Sequence, residues 1–263
     1  MKLYRDETGR GPQLVLLHGW GMNAAVWEPL LGELARHYRV TMIELPGHGA
    51  SPAAPVADLT VWAQACLDAA PARAHWLAWS LGGQVALRAA RLAPDRVAGL
   101  FLVATTPRFV QQDDWPCAMP AATFHQFADA LTDDAHATVL RFLALQVMGD
   151  ERARETLRIL RAELERRPHA SPEGLRQGLE LLLRNDLRTE LSTLPGPVDW
   201  VFGARDTLVP STLRARLPDL CPGGAMHVVA GAGHAPFLSH PADCLALLDA
   251  AVRGAGIEVN ADG

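Results

Sequence analysis

Short apolar runs rich in β-branched and aromatic residues recur at residues 13–17, 39–45, 75–79, 97–104, 198–202 and 226–229. Helical periodicity fills several of the gaps between them, as at 26–38 and 81–92. Runs that are apolar throughout, alternating with amphipathic helices, predict a mostly parallel sheet covered by helices on both faces. Residues 3–7, ahead of the turn Gly9-Arg10-Gly11-Pro12, are expected to add an antiparallel edge strand. The alternation stops between residues 108 and 188, where no strand pattern is visible and four amphipathic segments follow one another at 121–131, 134–148, 151–166 and 172–184. Ser171-Pro172 reads as an N-cap and first helical position. The strand pattern then resumes at Val198. A helical lid at 108–188 inserted into an α/β core made of 1–107 and 189–263 is therefore expected, with a frayed tail over 252–263.

The chain has 263 residues, 49% apolar and 20% charged, enough for one large domain with an insertion. The net charge of −5 gives no reason to expect nucleic acid or an anionic membrane as partner. The N-terminus carries charges where a signal peptide needs apolar residues, and no run reaches the ~20 apolar residues of a spanning helix. Cys66, Cys117, Cys221 and Cys244 are scattered, with no paired or metal-ligand spacing. A cytoplasmic, monomeric protein with free thiols and no metal or organic cofactor is expected.

The sharpest chemical signal is Ala78-Trp79-Ser80-Leu81-Gly82-Gly83, where an apolar strand runs into a serine and a helix begins on two glycines. This is the pattern of a nucleophile elbow, G-x-S-x-G, with Ala78 in place of the first glycine. A plain helix N-cap is the alternative role for Ser80. A serine nucleophile needs a base and an acid, in the order Ser, Asp, His for this topology, each at the carboxyl end of a strand. Asp206 follows the strand pattern at 198–202, with Asp113 and Asp114 as competitors. Among ten histidines, His234 in Gly231-Ala232-Gly233-His234 is the one placed past a late strand. His227, inside an apolar strand, is expected to be a hydrogen-bonded structural residue. Oxyanion donors are expected from the backbone N–H of Leu81 and from Trp20 in the loop His18-Gly19-Trp20-Gly21. His18 is expected to be structural, and Leu45-Pro46-Gly47-His48-Gly49 a rigid scaffold loop.

Together these motifs resemble the α/β-hydrolase fold superfamily, over nearly the whole chain. Ser80 stands where dehalogenases and epoxide hydrolases of that fold carry aspartate. The segments His18-Gly19-Trp20-Gly21-Met22-Asn23, Asp114-Trp115-Pro116, Arg141-Phe142-Leu143-Ala144-Leu145-Gln146 and Gly233-His234-Ala235-Pro236-Phe237 resemble, more narrowly, the biotin-pathway carboxylesterases acting on pimeloyl-acyl-carrier-protein methyl ester. That resemblance implies a catalytic triad of Ser80, Asp206 and His234. It implies a substrate chain lying along Trp20, Ser80, Leu81, Phe142, Leu143, Ala144, Leu145, Gln146 and His234. It also implies acyl carrier protein as partner, docking on Arg141, Arg154 and Arg158, although Ala137 stands where a further arginine belongs. A generalist esterase, a non-catalytic binding protein of the same fold and an acyl transferase remain as alternatives.

The arginines matter because Lys2 is the only lysine. Residues 138–167 hold seven arginines against five acids, a balance of +2 that leaves −7 for the rest of the chain. Arg154, Arg158 and Arg161 at i, i+4 and i+7 share one helical stripe. Local pairing with Glu151, Glu155 and Glu165 is the competing expectation.

Overall fold

A computed structural model describes residues 1–194 and 196–254. Its seven strands are β1 (Arg5–Gly9), β2 (Gln13–Leu17), β3 (Arg39–Ile43), β4 (Ala74–Trp79), β5 (Val97–Val103), β6 (Val198–Gly203) and β7 (Ala225–Val229), in one sheet of order β1-β3-β2-β4-β5-β6-β7. Only β1 is antiparallel. β4 and β5 are buried at every position, which is why their sequences are apolar throughout rather than alternating.

The helices of the sheet layers are α1 (Glu28–His37), α2 (Leu59–Ala69), α3 (Leu81–Leu92), α8 (Leu217–Leu220), α9 (Pro236–Ser239) and α10 (Pro241–Gly254). Four more, α4 (Ala121–Asp133), α5 (Ala135–Gln146), α6 (Ala153–Leu164) and α7 (Pro172–Arg184), lie consecutively between β5 and β6. Ser171 caps α7 as expected, its Oγ accepting from Gly174 N; Asp134, read from the sequence as the start of a helical segment, lies just outside α5 and caps it, Oδ1 accepting from Ala137 N.

One element departs from expectation, and another, α2, is one that the sequence pattern does not predict. The edge strand is shifted from 3–7 to Arg5–Gly9, because pairing with β3 sets it rather than burial. Four of its five residues are exposed, so hydrophobic pattern alone misplaces it. α2, capped by Asp58, buries seven of its eleven residues and thus lacks a clean polar face. Of the tail expected to fray, residues 252–254 end α10 and residues 255–263 lie outside the described residues.

The four-helix segment is tied to the sheet layers by specific bonds. Trp20 Nε1 donates to Leu175 O at 2.9 Å and Asn23 Nδ2 to Leu164 O at 3.0 Å. Arg167, just past α6, pairs with Asp6 at 2.5 Å and lies 3.7 Å from both Glu28 and the fully buried Glu44. Burial pushes the Glu44 carboxyl up, while Ala50 N–H, Ala24 N–H and Arg167 favour its charged form.

Candidate active site

Parallel strands bring their carboxyl ends to one edge, where the segments that follow them meet. β4 ends directly on Ser80, whose backbone sits at φ 55°, ψ −117°. An L-residue in that region is strained, and Ser80 N–H bonded to Val103 O at 3.0 Å helps hold it there. The Thr105 hydroxyl supports the same turn, donating towards Val103 O at 3.1 Å and Ser80 O at 3.3 Å. Gly82 is required by close approach: a Cβ there would lie 2.5 Å from His18 O and 2.8 Å from Leu17 O. Ala78, by contrast, sits fully buried in regular β4, so its methyl group is accommodated within the strand.

His234 Nε2 lies 3.0 Å from Ser80 Oγ, and His234 Nδ1 lies 2.7 Å from Asp206 Oδ2. Ser80 is 5% exposed, Asp206 6% and His234 0%. The second oxygen, Asp206 Oδ1, accepts from Leu208 N at 2.8 Å and Val209 N at 3.0 Å, so the carboxylate is held from both sides. Trp79 Nε1 donates to His234 O at 2.8 Å and fixes the histidine backbone. The loops carrying Asp206 and His234 can approach only because β6 ends on Gly203, where any side chain would overlap Gly233 O. Asp113 and Asp114 are not part of this cluster: Asp114 pairs with Arg188 at 2.7 Å, on the flank where Arg188 and Arg216 lie over the Trp115 ring.

The loop after β2 rests against the serine, since a Cβ on Gly19 would lie 3.3 Å from Ser80 Cβ. Two buried histidines hold it. His18 Nδ1–H donates to Gly19 O at 2.8 Å while its Nε2 accepts from Leu45 N at 3.1 Å. His48 Nδ1–H donates to Pro46 O at 2.9 Å while its Nε2 accepts from Gly21 N at 3.3 Å. Burial lowers both pKa values, to about 3 for His18, with a further contribution from His48, and to about 4 for His48. Both rings are therefore neutral spacers, and His48 gives the scaffold loop a contact that its turn chemistry did not reveal. Among the described residues, the backbone N–H groups of Trp20 and Leu81 have no hydrogen-bond acceptor. Unpaired donors beside a strained serine are available to an incoming oxyanion.

Along α5, Phe142, Leu143 and Gln146 face inward, Leu145 is half-buried and Ala144 lies on the exposed face. Phe142 meets Trp20 edge-on at 5.0 Å and Phe127 at 5.8 Å. The Gln146 side chain is buried with its Oε1 unpaired. On the outer surface, Arg141, Arg154 and Arg158 are all exposed. Local pairing does not neutralise them: Glu151 pairs with Arg205 and Glu165 with His169, and Arg154, Arg158 and Arg161 have no ion pair among the described residues. His227 bonds Asp199 at 2.9 Å between β7 and β6, a structural contact.

Residues 14–247 match the model of the alpha/beta hydrolase family. The chain is 46% identical over 240 residues to the pimeloyl-[acyl-carrier protein] methyl ester esterase of Methylococcus capsulatus, covering 91% of this chain and 94% of that one. The protein of the same name from Photobacterium profundum is 43% identical over 233 residues, covering 89% and 91%. Among solved structures, an esterase from Exiguobacterium antarcticum superposes with a TM-score of 0.85 at 22% identity, covering 95% of each chain, a likeness of fold alone. With identity at this level across nine-tenths of the chain, the protein belongs to the alpha/beta hydrolase family and, within it, to the group of the pimeloyl-[acyl-carrier protein] methyl ester esterases.

Proposed function

We propose that this protein is a serine carboxylesterase of biotin synthesis that hydrolyses the methyl ester of pimeloyl-acyl-carrier protein to pimeloyl-acyl-carrier protein and methanol. The reading rests on the Ser80–His234–Asp206 relay, with its 3.0 and 2.7 Å separations in a buried site. Ser80 Oγ attacks the ester carbonyl carbon as His234 Nε2 takes its proton, and Asp206 holds the imidazole in the tautomer that can accept it. The carbonyl oxygen becomes an oxyanion received by the N–H groups of Leu81 and Trp20. Collapse breaks the C–O bond to the methoxy group, which leaves as methanol with the proton from His234. Water then repeats the sequence on the acyl-enzyme, giving up a proton to His234, and Ser80 recovers its hydroxyl.

Residues 108–188 serve as the lid. The chain lies along Trp20, Leu81 and the segment Phe142, Leu143, Ala144, Leu145 and Gln146, of which Ala144 contributes backbone rather than an inward side chain. The thioester to the carrier is intrinsically more reactive than the oxyester, so selectivity comes from position: the methyl ester end enters first and the thioester stays outside. The unpaired arginines Arg141, Arg154 and Arg158 receive the acidic carrier. Free thiols at Cys66, Cys117, Cys221 and Cys244 support a reducing, cytoplasmic setting. No helix among the described residues is long and apolar enough to cross a membrane.

The test is incubation of pure protein with dimethyl pimelate and with pimeloyl-carrier-protein methyl ester, following methanol and product mass. Methanol release with the carrier thioester intact is expected, and Ser80→Ala abolishes it. Free pimeloyl chains released as fast as methanol, or turnover preferring short soluble esters, would point to a generalist esterase.

A further inference from the structure

Asp150, in the turn between α5 and α6, is a buried acid, 7% exposed, to which the reaction assigns no task. Both its oxygens are engaged with backbone: Oδ2 accepts from Gly233 N at 2.7 Å and Oδ1 from Arg152 N at 2.7 Å. Gly233 is the residue before His234. The next peptide is held from the same segment, since His234 N donates to Gln146 O at 2.8 Å. Two residues earlier, Gly231 O accepts from Glu151 N at 2.9 Å. Arg205, beside Asp206, completes the seam. Its backbone N donates to Ala232 O at 2.9 Å, and its guanidinium reaches Gly149 O at 3.2 Å and Glu151 Oε1 at 2.8 Å.

We infer that Asp150 is a positioning residue for His234, and that the α5–α6 turn is a brace through which the helices bearing Arg141, Arg154 and Arg158 are coupled to the imidazole. The inference rests on the reading of His234 as general base and extends it. A carboxylate accepting charge-assisted bonds from Gly233 and Arg152 is a two-point clamp; the Arg152 end is open to solvent, but the Gly233 N–H is buried and loses its acceptor when the acid is removed. Loss of the clamp lets the Gly233–His234 peptide move relative to Ser80, and sub-ångström misplacement of a proton acceptor is enough to slow transfer. The arginines flank the same turn, Arg141 on α5 and Arg154 and Arg158 on α6. A carrier seated on them loads the brace without touching the reacting atoms.

The experiment compares the full chain with Asp150→Ala, Asp150→Asn and Ser80→Ala on dimethyl pimelate and on the carrier-bound ester. It reads kcat and KM separately, kcat against pH, the rate at which a fluorophosphonate labels Ser80, and thermal unfolding. For Asp150→Ala, kcat is expected to fall about 10- to 100-fold on both esters, with KM for the carrier-bound ester within about twofold of wild type. Labelling slows in parallel, and the acidic inflection of the kcat profile shifts. Asp150→Asn keeps one carbonyl oxygen for the clamp and is expected to recover part of the loss. It also carries the test if the alanine variant does not fold. Folded variants with wild-type kcat and an unmoved pH profile, or a loss confined to KM, would overturn the inference. If instead the wild-type protein shows no ester hydrolysis, or Ser80→Ala retains it, the functional reading itself fails.

Discussion

Asp206 accepts from His234 on one oxygen and from two backbone N–H groups on the other, so it cannot rotate away from the imidazole. An asparagine could keep the backbone bonds through its oxygen but would then present N–H to Nδ1. The ring would be forced to carry its proton on Nε2, where it can no longer accept from Ser80. Asp206→Asn is therefore expected to fold normally and lose about 10,000-fold in kcat, checked by steady-state kinetics beside circular dichroism. Ser80, Asp206 and His234 were legible from sequence because each follows an apolar strand pattern within a few residues, a local signature. Asp150, Thr105 and His48 were not. Their partners lie 83, 25 and 27 positions away, and no local pattern announces such a bond.

The exposed face of α6 carries Arg154, Arg158 and Arg161 against one exposed acid of the helix, Glu155. Arg154 and Arg158 project into solvent while the nearby acids Glu151 and Glu165 are turned to Arg205 and His169. The helix thus presents a positive stripe that spacing alone could equally have neutralised. Arg158→Glu reverses one charge at the centre of that stripe. It is expected to raise KM for the carrier-bound ester by about tenfold, steeply dependent on salt, while kcat/KM for dimethyl pimelate moves far less. An equal loss on both substrates, measured side by side, would indicate disturbed packing of α6. Elements with one buried face, such as α7, were readable to the residue. β1, exposed nearly throughout, and α2, buried on most sides, were not, since periodicity reports only the contrast between two faces.

At the scale of the whole molecule, His18 and His48 sit at the junction of the loops after β2 and β3 and must be neutral to accept from Leu45 and Gly21. Their folded pKa values, about 3 and about 4, lie below the ordinary histidine value of 6.5. Above that value both rings are neutral in either state and the native contacts cost nothing in protonation. As pH falls below 6.5 the unfolded chain gains protons that the native state refuses, so stability drops until the folded pKa values are reached. Each ring is expected to contribute a slope of up to about 1.4 kcal/mol per pH unit between roughly pH 6 and pH 4. Urea denaturation at pH 7, 6, 5 and 4 measures it. His48→Gln, which can still accept from Gly21, is expected to flatten the curve, and an unchanged slope would contradict the assignment. Arg167 acts at the same scale, joining the end of α6 to acids of β1, α1 and the loop after β3.

The sequence by itself determined the alternation of strands and helices, the helical insertion and the serine, aspartate and histidine at strand ends. Those features follow from hydrophobic period, caps and turn residues, which act over a few positions of chain. Only the tertiary structure decided which surface arginines stay unpaired, which face of α5 carries Ala144 outward, and that the carboxylate of Asp150, between α5 and α6, accepts from the residue preceding His234. Such relations depend on where distant segments are packed together, and packing is a property of the whole sheet and its insertion rather than of any stretch of residues.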